Sequence, residues 1–497
     1  MKISDDTLMI VKDHYEGIFK FLNERFGSCY SNTDFYTKVD LWLRLYQGYV
    51  KEHHEILNNN GISAQTRRMS VLNMAKRVAE DWTSILVSDK PIINIAGKNQ
   101  STSRFVQGSK GNGGVLNSNN FYKQFTNVIE RAFGLGTGAL VLGITLNKDN
   151  EFKIDINSYN ANAIIPIKYH NGIITECAFL SKFEKDGKTM YNLSCHVKDE
   201  DDTYIIYNFV AGSDLIFDSY INKDIEGLNT NSKTPFFFII SPMIANNVDL
   251  DSPMGVSVYS SAVDVVLNCD YIYDSIKMDV VTAQRIILMD KTLLGIGADG
   301  KPIPPQDVKK YFMAFFGDEG STDVDKLIKE FSPKLNSTEL CETLQQNLNL
   351  LSMRCGLGNQ YYHFDRVAGV TATEYTGSQQ DLVRNVRINT EMLTNVLTGL
   401  VKQIIWIGGN LFEYDLPQDV KVTVTIPDGV VTDDLTEKEQ DRQDVRDGIM
   451  SKAEYRVKWY GETLEDAKLK IADVKSELSD ADEVDTEKTT ITAGFTN

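Results

Sequence analysis

Hydrophobic positions along this chain switch between helical and strand spacing, and the switches mark out its elements. Within residues 1–60, Leu41, Leu45 and Tyr49 recur at helical spacing. Residues 66–87 predict a clearer amphipathic helix, because Leu72, Ala75, Ala79, Trp82 and Leu86 fall on one face. Pro91 ends it, and residues 92–95 predict a strand. The polar, glycine-rich stretch 97–120 predicts a mobile loop. A helix over 121–134 then runs through Gly134, Gly136 and Gly138 into a strand at 139–146. From 150 to 240 the pattern is short strands, with turns at His170-Asn171-Gly172 and Lys185-Asp186-Gly187.

The texture changes after residue 241. Ser252-Pro253 has the form of a helix start, with Ser as N-cap and Pro at the first helical position. From there to about 282 the pattern predicts one helix, roughly 40 Å long at 1.5 Å per residue. Val258, Ala262, Val265, Cys269, Ile272 and Ile276 form one apolar stripe, and Val256, Tyr259, Val263 and Val266 form a second. Two stripes imply packing on two sides. Residues 284–336 predict a small insert with strands at Arg285–Met289 and Tyr311–Phe316. A second helix is expected at 337–356, with Leu340, Leu344, Leu348, Leu351 and Cys355 on one face. A loop at 357–371 leads to Thr371-Ala372-Thr373-Glu374, which fits a capping box. The helix that follows runs to about 407, with Gly377 and Gly399 as kink points. A strand at Lys421–Ile426, an acidic helical stretch from 433 and a polar, disordered tail at 480–497 complete the pattern.

Composition narrows the function. The 497 residues are 42% hydrophobic, as in a globular protein, and the length suits two to four structural units. Lys and Arg number 51 against 69 Asp and Glu, a net charge of −18. A protein that grips nucleic acid by its phosphates carries a basic stripe, so tight electrostatic binding of DNA is not expected. An acidic wall beside DNA would instead let the polymer slide. Residues 433–487 hold 18 acidic against 9 basic side chains, half of the whole chain's excess. The insert at 284–336 balances eight of each. Six cysteines without a CxxC pair point to buried free thiols in a reducing compartment. The N-terminus lacks the apolar core of a secretory signal, and no apolar run reaches the length of a membrane span. A soluble product made in a cytoplasm is therefore expected.

Motifs for catalysis fail on context. Gly295-Ile-Gly297-Ala-Asp-Gly300 matches GxGxxG, but Pro302, Pro304 and Pro305 follow where a phosphate-binding helix would start, so a hairpin or turn is expected. Gly134, Gly136 and Gly138 lie between a helix and a strand, the reverse of the nucleotide-binding order, and predict a close-packed turn. No GxxxxGK[ST], GxSxG or HExxH occurs. Asp201-Asp202 and Asp433-Asp434 suit solvated charge or helix capping better than two-metal nuclease ligands, and Cys195-His196 in a strand does not suggest a catalytic pair. No metal site and no cofactor is expected. The loop Tyr361-Tyr362-His363-Phe364 with Arg366 is more informative. Its aromatics and cations could touch a nucleic acid or pack against protein.

The order of elements, together with four motifs, resembles the portal proteins of tailed bacteriophages, especially those of long-tailed phages of Gram-positive hosts. The motifs are Ala75-Lys76-Arg77-Val78-Ala79-Glu80-Asp81-Trp82, then Ser252-Pro253-Met254-Gly255-Val256-Ser257 with Asp264 and Asp270-Tyr271-Ile272-Tyr273-Asp274-Ser275, then Gly369-Val370-Thr371-Ala372-Thr373-Glu374-Tyr375, then Asp447-Gly448-Ile449-Met450-Ser451-Lys452. They span roughly residues 66–478.

The resemblance implies an α+β portal fold. Residues 1–250 and 372–427 would form an α/β wing, with a long kinked helix in the second part. Residues 252–283 and 337–356 would be a two-helix stem, and 284–336 a small α/β clip. Residues 357–371 would be a tunnel loop, 428–480 a helical crown and 481–497 a disordered tail. It implies a ring of about twelve copies at one capsid vertex, a conduit for packaging and ejecting viral double-stranded DNA without sequence preference. Partners would be terminase, the major capsid and scaffold proteins, and a head-completion or adaptor protein, with no membrane. Tyr361, Tyr362, His363 and Arg366 would line the channel. Val258, Val265, Ile272, Leu344, Leu348, Thr371 and Glu374 would meet neighbouring subunits, and Lys309 and Lys310 would dock a partner. No catalytic residue is implied. The alternatives are another head or connector component of the virion, or a metal-dependent nuclease.

Overall fold

The strongest local signals in the sequence are its two hairpin turns, and both form. Asn171 and Gly172, and again Asp186 and Gly187, take positive φ at both central positions. That is the type I′ turn, whose twist matches that of the flanking strands. These turns join β6 (Ile164–His170), β7 (Ile173–Lys185) and β8 (Lys188–Lys198), and β9 (Tyr204–Ala211) and β10 (Leu228–Asn229) extend the sheet in the order β10-β9-β8-β7-β6.

The computed structural model describes residues 6–59, 64–95, 100–108, 113–146, 152–217, 227–283, 286–290, 295–296, 302–303, 312–315, 328–331, 334–359, 361–363, 380–412, 414–417, 420–427, 434–460 and 467–474. The chain divides into two units, Met1–Gly369 with Gly377–Gly429, and Val370–Thr376 with Val430–Asn497.

In the first unit, α1 (Asp6–Phe26) and α2 (Thr33–Tyr46) cover the five-stranded sheet with an aromatic layer. Phe21 meets Phe209 edge-on at 5.0 Å, and Tyr15 lies 4.5 Å from Tyr36. The buried hydroxyls find backbone partners: Tyr36 donates to the Ile164 carbonyl at 2.8 Å and Tyr15 to that of Asn162 at 2.6 Å. The described residues 6–59 are thus mostly helical as expected, but they end in a short helix, α3 (Lys51–His54), and a strand, β1 (Glu55–Asn59).

β1 pairs with β2 (Ala64–Arg68), and this corrects the helix expected over 66–87. The helix α4 is Met74–Leu86. Thr66, Arg67 and Arg68 are used in the hairpin, and Asn73 turns the chain with φ 57°. Ala75, Val78, Ala79, Trp82 and Leu86 form its buried face. The strand β3 (Ile92–Ile95) pairs with β17 (Val422–Thr425) from the far end of the unit.

The stretch 97–120 contains two short helices, α5 (Gln100–Gln107) and α6 (Val115–Ser118), instead of being a loop throughout. Val106 and Leu116 are fully buried, which supplies the apolar anchors that hold them. The helix α7 (Phe121–Leu135) leads to β4 (Gly138–Leu146), which lies between β5 (Phe152–Asn160) and β11 (Phe237–Ile240).

The helix expected from Ser252 starts eleven residues later. A 3-10 turn at Ser260–Ala262 leads into α8 (Val263–Thr282), about 30 Å long. Residues 252–259 are held in non-helical form by the α7–β4 junction. Gly255 N–H donates to Thr137 Oγ1 at 3.0 Å, and Val258 N–H donates to the Phe133 carbonyl at 3.0 Å. Two glycine backbones meet here. A Cβ on Gly136 (φ +91°) would lie 2.5 Å from the Gly255 carbonyl oxygen, and one on Gly255 would lie 2.4 Å from that of Gly136. The glycine cluster at 134–138 is therefore a close-packed turn, as its order in the sequence suggested.

After α8, β12 (Ile286–Asp290) pairs with β15 (Phe312–Phe315) in parallel and with β16 (Ile328–Phe331) antiparallel. β16 is a third strand of this sheet, beyond the two strands expected for the insert. β13 (Gly295–Ile296) and β14 (Pro302–Ile303) form a small antiparallel hairpin across the GxGxxG letters. The helix α9 (Ser337–Arg354) returns from the insert. The long helix α10 (Gln380–Asn410) is described over 31 residues. Its hydrogen bonding runs through Gly399, where a Cβ would come within 2.9 Å of the Phe238 ring. That glycine serves close approach of β11. The capping box Thr371–Glu374 and Gly377 lie outside the described residues.

The second unit contains α11 (Asp434–Arg446) and α12 (Lys452–Tyr460). Ser451 caps α12 in a box: Glu454 N–H donates to Ser451 Oγ at 3.1 Å and Ser451 N–H to Glu454 Oε2 at 2.8 Å. The tail 481–497 lies outside the described residues.

Candidate functional site

Two helices and the start of one loop gather the residues that the sequence singled out. α8 and α9 pack side by side, with Val265, Cys269 and Ile272 buried on one and Leu344, Leu348 and Leu351 buried on the other. Their ends show the direction. At one end Arg354 Nη1 donates to Asp264 Oδ1 and to the Ser261 carbonyl, both at 3.0 Å. At the other, Asn336 N–H donates to Asp279 Oδ2 at 2.8 Å. The pair is therefore antiparallel, and the β12–β16 insert joins the two helices where Asp279 meets Asn336.

A second side of α8 is polar and equally buried. Asp270 Oδ1 accepts the backbone N–H groups of Leu72 at 2.7 Å and Asn73 at 3.2 Å. His54 lies beside it, 1% exposed. Its Nδ1 accepts the Val50 N–H at 2.8 Å, so the ring proton belongs on Nε2, which faces Asp270 Oδ2 at 3.2 Å. One turn on, Asp274 takes the Arg67 guanidinium through two bonds of 2.8 and 2.7 Å, and it accepts the Ser70 N–H at 2.9 Å. The Arg67 hydrogen bonds, foremost among its neighbours, hold the Asp274 carboxyl below the usual range. Two acids four residues apart therefore fasten α8 to the segment 67–73.

The loop after α9 begins in a Schellman turn. Leu357 N–H donates to the Ser352 carbonyl at 3.0 Å and Gly356 N–H to that of Met353 at 3.3 Å, with Gly356 at φ +73°. Three elements hold it. Trp82 Nε1 donates to the Cys355 carbonyl at 3.0 Å, and Asn385 Nδ2 to that of Gly356 at 3.0 Å. Tyr362 donates its hydroxyl to Asp81 Oδ2 at 2.9 Å, and its carbonyl accepts Gln345 Nε2 at 2.6 Å. Burial raises the Asp81 carboxyl above the usual range, opposed by Tyr362 and by Arg77, whose Nη2 is 2.8 Å from Oδ1.

The expected site residues fall in different surroundings. Val258, Val265, Ile272, Leu344 and Leu348 were expected to meet neighbouring subunits, but each is at least nine-tenths buried within its own chain. Both apolar stripes on α8 and its lead-in are filled from inside, one by α9 and one by the body, where Tyr259 donates to the Trp42 carbonyl at 3.0 Å. Tyr362 was expected to line a channel, but its hydroxyl is spent on Asp81. Tyr361 lies half-buried, edge-on to Tyr362 at 5.1 Å, and His363 is exposed. Arg366, Thr371, Glu374, Lys309 and Lys310 lie outside the described residues.

The anchors Asp81, Asp270, Asp274, His54 and Arg67 carry no side-chain role in the sequence pattern, although three of them stand in its motifs, and Trp82 figures there only as part of an apolar face. Their signal was faint: Asp270 adjoins the buried Cys269 and Asp81 the buried Trp82, but each acid lies about 100° round its helix from that neighbour.

Of the rejected catalytic pairs two are described, and Asp433 of the third lies outside the described residues. Cys195 and His196 are fully buried, and burial alone pushes His196 down to about 3, so the ring is neutral between Phe179 and Phe237. Asp201 and Asp202 are exposed in the β8–β9 turn. Among the described residues no three His, Cys, Asp or Glu side chains gather to hold a metal ion, and no helix is long and apolar enough to cross a membrane.

Comparison with known proteins supplies the family. No curated protein matches the chain. Among solved structures 68 chains match. One, from the neck of a native GTA particle computed with C12 symmetry, is 12% identical and covers 77% of this chain and 87% of its own, with a TM-score of 0.40. Residues 29–483 match the family described as phage portal protein, SPP1 Gp6-like. With that match over most of its length, this chain belongs to the phage portal proteins of the SPP1 Gp6-like family.

Proposed function

We propose that this portal protein forms a closed ring of about twelve copies at one vertex of the capsid, and that viral double-stranded DNA passes through the ring during packaging and ejection. The observation that carries this reading is the antiparallel pair α8 and α9, with the small β12–β16 sheet joined between them. Such a pair suits a stem, residues 252–283 and 337–356, with a clip at 284–336. Residues 1–250 and 372–427 would form the wing, 357–371 the tunnel loop and 428–480 the crown.

A channel for a moving polyanion must not hold it, since each neutralised phosphate adds affinity. A chain of net charge −18 gives a largely repelling wall. His363 is exposed just beyond the Tyr362 anchor, so the loop that follows starts from a fixed root. His363, Arg366 and Tyr361 would face the DNA there. The clip, with Lys309 and Lys310, would dock terminase during packaging and a head-completion or adaptor protein later. The wing and crown would face the major capsid and scaffold proteins. The chain itself would do no chemistry, and energy for packaging would come from terminase.

The test is the mass of the purified chain by light scattering, with negative-stain images of the same sample. Closed rings with an axial hole are expected. A monomer that cuts plasmid DNA in the presence of Mg²⁺ would overturn the proposal in favour of a nuclease.

A further inference from the structure

The two helices of the second unit are short. α11 has 13 residues and α12 has 9, and isolated helices of that length are marginal in water. Contact with other parts of the chain has to hold them, and the two pack against each other. In the first unit such contact is apolar: α4, also of 13 residues, buries Ala75, Val78, Ala79, Trp82 and Leu86. The described side chains of α11 and α12 offer no such face. α12 buries none of its side chains, and the one that α11 buries is an acid, Asp441. Val457 and Tyr460 are 37% and 58% exposed, and Ile449 in the turn between the helices is 77% exposed.

The contacts between the helices are gathered round that one carboxylate. Asp441 Oδ2 accepts Lys458 Nζ at 2.6 Å and Trp459 Nε1 at 2.7 Å. One turn earlier on α11, Lys438 lies over the rings of Trp459 and Tyr460, 5.6 and 5.7 Å from their centroids. Lys458 is itself 5.3 Å from the Trp459 ring, and Arg456 is 5.3 Å from that of Tyr460. An ammonium and a carboxylate on α11 thus face an ammonium and two aromatic rings on α12. The connecting turn, with Gly448 at φ +74°, lies about two helical turns away, so these contacts close the open end of the hairpin.

We infer that Asp441 is an electrostatic latch, and that the α11–α12 hairpin opens as ionic strength rises while the first unit stays folded. Exposed charge contacts are screened by salt, buried ones much less, and apolar burial is not an electrostatic attraction at all. The Lys458 side chain is 40% exposed, so salt reaches its pair with Asp441. One carboxylate also serves both partners on α12, so loss of its charge weakens the hold on Lys458 and Trp459 together. The inference concerns the second unit by itself and stands apart from the ring.

Hydrogen exchange read by mass spectrometry on the full chain tests it, with peptides from 438–460 compared with peptides from β7 and β8. Sodium chloride is raised from about 0.1 to about 1 M, over which the screening length falls from about 10 to about 3 Å. Exchange in the hairpin should become about tenfold faster, and exchange in β7 and β8 should change less than about twofold. Asp441→Asn keeps the shape of the side chain and removes its charge. It should show the faster exchange already at the lower salt and lose the salt dependence. Equal hairpin exchange at both salts in the wild type, hairpin and sheet accelerating together, or wild-type protection in Asp441→Asn would each overturn the latch and leave the portal reading standing.

Discussion

α8 is held along two seams of opposite character. Toward α9 the seam is apolar: Val265, Cys269 and Ile272 against Leu344, Leu348 and Leu351. Toward residues 67–73 it is polar, with Asp270 and Asp274 taking three backbone amides, a histidine and an arginine. Burial of apolar area is non-directional, so the first seam supplies attraction but tolerates small shifts. The second supplies direction, because each acceptor must meet its donor within hydrogen-bond distance. One helix is thus glued on one side and indexed on the other.

Substitutions should separate the two kinds of seam. The largest effect is expected for Asp270→Ala, which leaves two backbone amides and His54 without their acceptor in a buried site. A loss of about 3–5 kcal/mol is expected from urea unfolding. Leu348→Ala should cost about 3 kcal/mol through the cavity it leaves. Leu348→Met, by contrast, should cost less than about 1.5 kcal/mol, because its volume is nearly conserved. Asp270→Asn, equally conservative in shape, should be far worse than Leu348→Met, since it turns an amide donor toward His54. Equal losses from those two would remove the distinction between the seams.

Arg67→Met should cost about 2 kcal/mol at neutral pH, and this loss should depend on pH. Asp274 is held below the usual carboxylate range by Arg67. Its contribution is therefore present above the unfolded-state value and lost as pH falls through the lowered folded-state value. The difference in Tm between wild type and variant should shrink as the pH is taken from 7 toward 3. The smallest effect is expected for Tyr362→Phe, about 1 kcal/mol. It should appear as faster amide exchange at residues 355–357, with little change elsewhere.

Much of the fold was legible because its signals were local. The two type I′ turns, the amphipathic face of α4 and the apolar stripes of α8 and α9 each depend on residues close in the chain. The early start assigned to α8 shows where local signals fail. Ser252-Pro253 is a sound cap in isolation, but contact between the Gly136 and Gly255 backbones holds 252–259 in another form. The stretch 97–120 reads as a loop because its helices are anchored by so few apolar residues, chiefly Val106 and Leu116. The polar anchors were hidden for a different reason. Asp81 and Tyr362 are 281 positions apart, and Arg67 and Asp274 are 207 apart, so no spacing rule connects them. The sequence showed which helices matter, but gave no view of which of their sides were already occupied.

The bonds from Asp270 to the backbone of Leu72 and Asn73 leave an uneven record of tolerance. Every residue except proline carries the amide that Asp270 accepts, so position 72 is free to drift. Position 73 is narrower, since its φ of 57° suits Asn or Gly. Position 270 has no such freedom, because only a short carboxylate reaches both amides and His54 together. A saturation library selected for ring assembly should therefore read out a single letter at 270, a pair at 73 and nearly the whole alphabet at 72.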